Sequence, residues 1–241
     1  MTMKKIQMVD LISQYEKIKN TVNASIQEVL ETNAYINGPQ VHQFQKSLEE
    51  YLDVKHVIPC ANGTDALQIA MMGLDLKPGD EVITADFTFA ATVEVIALLQ
   101  LVPVLVDVDM YNMNISIEGI KKAITPKTKA IVPVHLFGRA ANMEAIMAIA
   151  KEHNLYVIED NAQAIGANCK FSDGSKKKAG TIGHVGATSF FPSKNLGCYG
   201  DGGAIFTNDD ALAHKLRGIV NHGMYERYHH DVVGVNSRLD S

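Results

Sequence analysis

The chain has 241 residues, 46% of them hydrophobic, enough to bury a core in one large α/β domain or two small ones. Its 22 basic and 27 acidic residues give a net charge of -5, and no basic cluster forms the footprint of a nucleic-acid binder. The start, MTMKKIQMVDL, lacks the apolar core of a signal peptide, and no apolar run is long enough to span a bilayer. A soluble cytoplasmic protein is therefore the default expectation.

Residues 11–32 carry Ile18, Val22, Ile26, Val29 and Leu30 at helical spacing, which predicts a helix. Asn37-Gly38-Pro39 is a turn signal, and Val41, Phe44, Leu48 and Tyr51 mark the apolar face of a second helix. From there strands and helices alternate. Strands are predicted at 57–60, 81–83, 104–108, 130–134, 156–158, 186–190 and 204–207. Helices are predicted at 66–72, 90–99, 143–153 and 211–220. Short apolar strands without alternation, separated by helices, indicate a mostly parallel sheet covered on both faces. Lys176-Lys177-Lys178 falls in a Ser/Asp/Gly stretch and reads as a solvated loop. The chain ends at Arg238-Leu239-Asp240-Ser241 without a helix cap or a tail composition, which reads as an interruption.

Cys60, Cys169 and Cys198 are far apart and form no CxxC pair, so neither a zinc site nor a disulfide framework is expected. His222, His229 and His230 cluster, but no carboxylate or cysteine stands at ligand spacing, and metal is rejected.

Ligands of open parallel sheets bind beyond the carboxyl ends of the strands. After the first strand comes Asn62-Gly63-Thr64-Asp65, opening a helix. Free N–H groups and a glycine there make an anion site, but an ordinary helix cap by Asn62 or Thr64 fits the tetrapeptide as well. After the second strand, Phe87 and Phe89 offer a flat face for a planar ring, or are core residues. Asp160 ends the apolar strand YVIED, where a carboxylate is costly unless paired. A pyridinium N–H is one suitable partner, and helix capping is the other reading. Gln163 follows three residues on.

Ser189-Phe190-Phe191-Pro192-Ser193-Lys194-Asn195 is the sharpest signal: a hydroxyl five residues before a lysine, with a proline between. Gly197-Cys198-Tyr199-Gly200-Asp201-Gly202-Gly203 follows as a glycine-rich turn into another strand. A lysine held among Phe190, Phe191 and Leu196 loses proton affinity through desolvation and can become nucleophilic; a surface lysine on a loop is the other reading, which these flanks disfavour. A nicotinamide site is set aside, because no GxGxxG turn follows the first strand.

The combination NGTDAL, DFTFAAT, PVHLFGR, VIEDNAQAIGA and SFFPSKNLGCYGDGGAIFTND resembles the DegT/DnrJ/EryC1/StrS aminotransferases over nearly the whole chain. These are fold-type I pyridoxal phosphate (PLP) enzymes acting on nucleotide-linked keto sugars. The resemblance implies that Lys194 carries PLP as a Schiff base, Asp160 pairs with the pyridine nitrogen, and Gln163 with the phenolic oxygen. It further implies that Phe89 stacks on the ring and that Gly63, Thr64 and Ser189 hold the phosphate.

The family implies a homodimer with shared sites, in which Asn236 of GVNSR completes the neighbour's phosphate site. SFFPSKNLGCYGDGG with RYHHDVVGVNSRLDS is similar to the subgroup of 3-aminotransferases of UDP-2-acetamido-3-keto-glucuronic acid, which serve surface polysaccharide synthesis with glutamate as donor. There Arg238 would sit near anionic groups of the substrate, a task suited to its forked donors. His229 and His230 are expected to be exposed loop residues instead. Residues 1–241 then form the PLP-binding large domain with its N-terminal helices, and the family's smaller C-terminal domain is expected to be absent. The alternatives are an aminotransferase for a dTDP- or UDP-keto-hexose of other regiochemistry, an inactive fragment, or a PLP-dependent sugar dehydratase. The dehydratase branch has a histidine where Lys194 stands.

Overall fold

In a computed structural model, which describes residues 6–241, a seven-stranded sheet is covered by helices on both faces. The strands are β1 (His56–Cys60), β2 (Glu81–Ala85), β3 (Val102–Val106), β4 (Thr128–Val132), β5 (Tyr156–Asp160), β8 (Val185–Ser189) and β9 (Gly203–Thr207). The remaining strands form two small hairpins, β6 (Asn168–Lys170) with β7 (Lys176–Lys178) and β10 (Met224–Glu226) with β11 (His229–His230). The helices are α1 (Leu11–Thr32), α2 (Pro39–Leu52), α3 (Gly63–Gly73), α4 (Ala90–Leu98), α5 (Ile117–Ala123), α6 (Met143–His153) and α7 (Asp210–Ile219).

The sheet order is β1-β9-β8-β5-β4-β2-β3. Every adjacent pair from β8 to β3 is parallel, whereas β9 runs antiparallel to both β1 and β8. In the inner strands of the sheet successive residues face opposite cores. Ile58, Val82 and Ile158 pack with α3, α4 and α7, while Ile83 and Val157 pack with α5 and α6, and Val57 with α2. Burial on both sides explains why the strands read as unbroken apolar runs.

The helices start where side chains can take up their first N–H groups: Asn62, Ser116, Asn142 and Asp209 each accept from the backbone three residues on. α1 stands apart: of its apolar residues only Val29 is buried, and Ile18, Ile26 and Leu30 are exposed. No helix among the described residues is long and apolar enough to cross a membrane.

Two predicted strands begin earlier than expected, at Val102 and Thr128. The first contains Pro103, which breaks a sequence-based strand but is tolerated at the sheet edge, where β3 lies. The lysine triplet is a correction: Lys176–Lys178 is the strand β7 and not a loop. Lys176 and Lys177 remain in solvent, while the Lys178 ammonium sits 4.8 Å from the centre of the Tyr51 ring and donates to the Gly166 carbonyl.

Candidate active site

The C-terminal ends of β1, β2, β4, β5 and β8 surround a cavity of about 660 Å³. Gly63, Thr64, Phe89, Asp160, Gln163, Ser189 and Lys194, separated by up to 131 residues of sequence, all line it.

Asn62 caps α3 by accepting from the Asp65 N–H at 2.8 Å, and the Ala66 N–H goes to the Asn62 carbonyl. The donors this helix start leaves over are those of Gly63 and Thr64. Asn62 is thus the cap, and the next two residues bring leftover N–H groups to the cavity wall, the kind of donors that suit an anion. The turn lies against the end of β8, where a Cβ on Gly63 would come within 2.6 Å of the Ser189 Cβ. Ser189 Oγ accepts from the Phe191 N–H at 3.2 Å, which leaves its own proton for the cavity.

Asp160 is 5% exposed and no helix follows it, so it caps none. Its Oδ2 accepts from the Thr92 hydroxyl at 2.8 Å and its Oδ1 from the Ala162 N–H at 3.2 Å. Burial pushes the carboxyl above its ordinary range, and these two hydrogen bonds pull it part of the way back. Such a group gains most from a cationic N–H donor inside the cavity.

Gln163 Oε1 accepts from the Phe137 N–H at 2.8 Å. A backbone N–H only donates, so the contact prong is the oxygen and the amide's NH₂ faces elsewhere, with two protons to give. Phe137 holds this orientation from a left-handed conformation at φ 53 that few non-glycine residues adopt. Phe89 is 69% exposed and opens α4 at the cavity wall, so it is not core. Lys194 is half-buried beside Phe191, while Phe190 turns away to meet Phe44 edge-on under the sheet.

Behind Asp160, Glu159 is wholly buried and accepts from His135 Nε2 and from the N–H groups of Gly180, Ile182 and Gly183. His135 Nδ1 accepts from the Ala141 N–H, so its single proton is on Nε2, toward Glu159. The pair fixes the loop before β8 to the end of β5.

Asn236 and Arg238 do not line the cavity. Asn236 is exposed and bridges Asn221, while Arg238 Nη1 donates to Asn221 Oδ1 at 3.2 Å. The segment is anchored by the buried Ser237, whose Oγ accepts from the Ala61 N–H. His229 and His230 are exposed on a hairpin. Sequence reading missed Thr88, Ser193 and Asp201 in the cavity lining and Thr92 behind it. The hydroxyls of Thr88 and Thr92, four apart at a helix start, were the available signal.

The residues present fit PLP: leftover helix N–H groups and a serine proton for a phosphate, a desolvated carboxylate for a pyridinium, two amide protons for a phenolic oxygen, and a cavity lysine. A UDP-2-acetamido-2-deoxy-3-oxo-D-glucuronate aminotransferase of Pseudomonas aeruginosa is 51% identical over 236 residues, which are 98% of this chain and 64% of that protein. A pleiotropic regulatory protein of Geobacillus stearothermophilus is 49% identical over 98% of this chain and 62% of its own. The solved structure of Bacillus subtilis NtdA with bound cofactor PMP superposes with a TM-score of 0.87 at 34% identity, covering 100% of this chain and 54% of that one. The chain thus spans less than two thirds of these relatives. The model of the DegT/DnrJ/EryC1/StrS aminotransferase family matches residues 16–241, and the chain belongs to that family.

Proposed function

We propose that the protein transfers an amino group from glutamate to a nucleotide-linked keto sugar, with PLP held in the cavity. UDP-2-acetamido-3-keto-glucuronic acid is the first acceptor to test, since the Pseudomonas relative is named for that compound. The observation that carries the reading is the buried Asp160 carboxylate sharing one cavity with Lys194 and with the α3 start.

When bound, PLP supplies an electron-withdrawing ring that stores the amino group between two substrates. Asp160 holds a proton on the ring nitrogen, Gln163 donates to the phenolic oxygen, and Phe89 covers a ring face. The Gly63 and Thr64 N–H groups and the Ser189 hydroxyl bind the phosphate. Lys194 Nζ anchors the cofactor and then takes and returns the proton at the substrate carbon, as base and acid. Asn236, exposed at the surface, serves the second subunit of a homodimer, and Arg238 meets the anionic part of the sugar nucleotide. The work belongs to surface polysaccharide synthesis in the cytoplasm.

Borohydride reduction with PLP, followed by peptide mass mapping, is expected to fix the cofactor on Lys194, and Lys194→Ala to abolish turnover. A label on another lysine overturns the assignment. Glutamate and a panel of UDP- and dTDP-keto sugars, given to this chain and to one extended to the relatives' length, identify the acceptor. A regulatory role, as the Geobacillus relative's name suggests, predicts no transfer to any of them.

A further inference from the structure

We propose that Thr88 and Thr92 form a directed hydroxyl relay that positions Asp160 and makes Thr88 a hydrogen-bond acceptor toward the cavity. The inference rests on the reading of Asp160 as partner of the ring nitrogen.

Thr92 lies in the first turn of α4 and is fully buried. Its Oγ1 is 2.8 Å from Asp160 Oδ2 and 2.8 Å from Thr88 Oγ1. Each hydroxyl has one proton, and a carboxylate only accepts. The Thr92 proton is therefore committed to Asp160, and the contact between the two threonines must use the proton of Thr88. Thr88 lines the cavity and Thr92 does not. What Thr88 has left for a ligand is lone pairs, so the group that meets it must bring a proton, as a hydroxyl or an N–H does. A carbonyl or carboxylate oxygen placed there would face an oxygen with no proton between. Were Asp160 protonated, the chain could reverse and Thr88 would offer its proton to the cavity. The charge of Asp160 is thereby expressed at a second point of the wall, beside Phe89.

Ordinary helix-start chemistry does not account for this. Threonines in helices commonly give their proton to a backbone carbonyl one turn back. Two other buried threonines near the site also donate to backbone, Thr84 to Val132 and Thr188 to Asn161. Thr92 donates instead to a carboxylate 68 residues away. Of the influences that hold the buried Asp160 as an anion, this hydrogen bond is the largest, ahead of the Ala162 N–H and the charge of Lys194. His135 and Lys194 give smaller electrostatic support.

The test measures PLP affinity of cofactor-stripped protein by equilibrium dialysis, and the pH dependence of the bound cofactor's absorption band. Thr92→Val keeps the shape and removes the proton, while Thr92→Ser keeps the hydroxyl. Thr92→Val is expected to weaken PLP binding roughly tenfold, the worth of a hydrogen bond to a charged group. It should also move the band's titration to lower pH, as the ring nitrogen loses support. Thr92→Ser is expected to restore both, and Thr88→Val to shift the band in the same direction by less. Native affinity and titration in Thr92→Val overturn the relay, as does equal loss in the Val and Ser variants, which would mean packing alone. If Thr92→Val does not fold, Thr92→Ala carries the same comparison with Ser. Asp160→Asn separates the two levels of the argument. Undiminished PLP binding in that variant overturns the ring-nitrogen reading, whereas lost binding there with an unaffected Thr92→Val overturns the relay only.

Discussion

Asp160 shows how one buried carboxyl can weaken the fold that carries it. A carboxyl with a raised folded-state value loses stability as pH climbs, because the unfolded carboxyl gives up its proton first, near 3.8. The loss accumulates between 3.8 and the raised value and persists at neutrality. Asp160→Asn ends this titration and keeps an acceptor for Thr92. The cofactor-free variant is therefore expected to be more stable than the native chain at pH 7, and equal to it well below pH 3.8, where the carboxyl is protonated in both states. Denaturant unfolding at the two pH values measures this. The same substitution should abolish PLP binding, so stability and function trade against each other at a single side chain.

At the scale of elements, the anion turn depends on how closely α3 approaches β8. Gly63 opens the helix with the Ser189 side chain against it, and a methyl group there would overlap Ser189 at 2.6 Å. Gly63→Ala is expected to cost about 1–3 kcal/mol of stability through overpacking, and to weaken PLP binding by moving Ser189. A melt and a cofactor titration on one sample test both parts. The sequence announced these elements well where burial was uniform: apolar strands such as YVIED and GAIFT, and the cap that begins α3. The cavity residues from Gly63 to Lys194 were legible because each follows a strand end or lies in a dense motif. Other parts were hidden for physical reasons. α5 has seven residues with Ile120 alone fully buried, too short for a period to emerge. The β6–β7 hairpin reads as polar loop because lysines face water on a two-stranded ribbon. Thr92 reads as a helix filler until β5 arrives beside it. Nothing in the local pattern of GAIFT tells that β9 runs against its neighbours.

That reversal shapes the whole molecule. β9 inserts between β1 and β8, and its first residue, Gly203, pairs with Cys60 on one side and Ser189 on the other. A side chain at Gly203 would strike the Asn62 backbone at 2.5 Å, so the anion turn rests directly on this strand. During synthesis every one of the seven cavity residues leaves the ribosome before the strand that seats three of them. A chain ending at residue 200 has all seven, yet it is expected to take no PLP and no borohydride label, where the 241-residue chain takes both. The order of emergence thus makes cofactor capture a late event. A nascent chain cannot fill its site early, and PLP occupancy becomes a report that the last strand has closed the sheet.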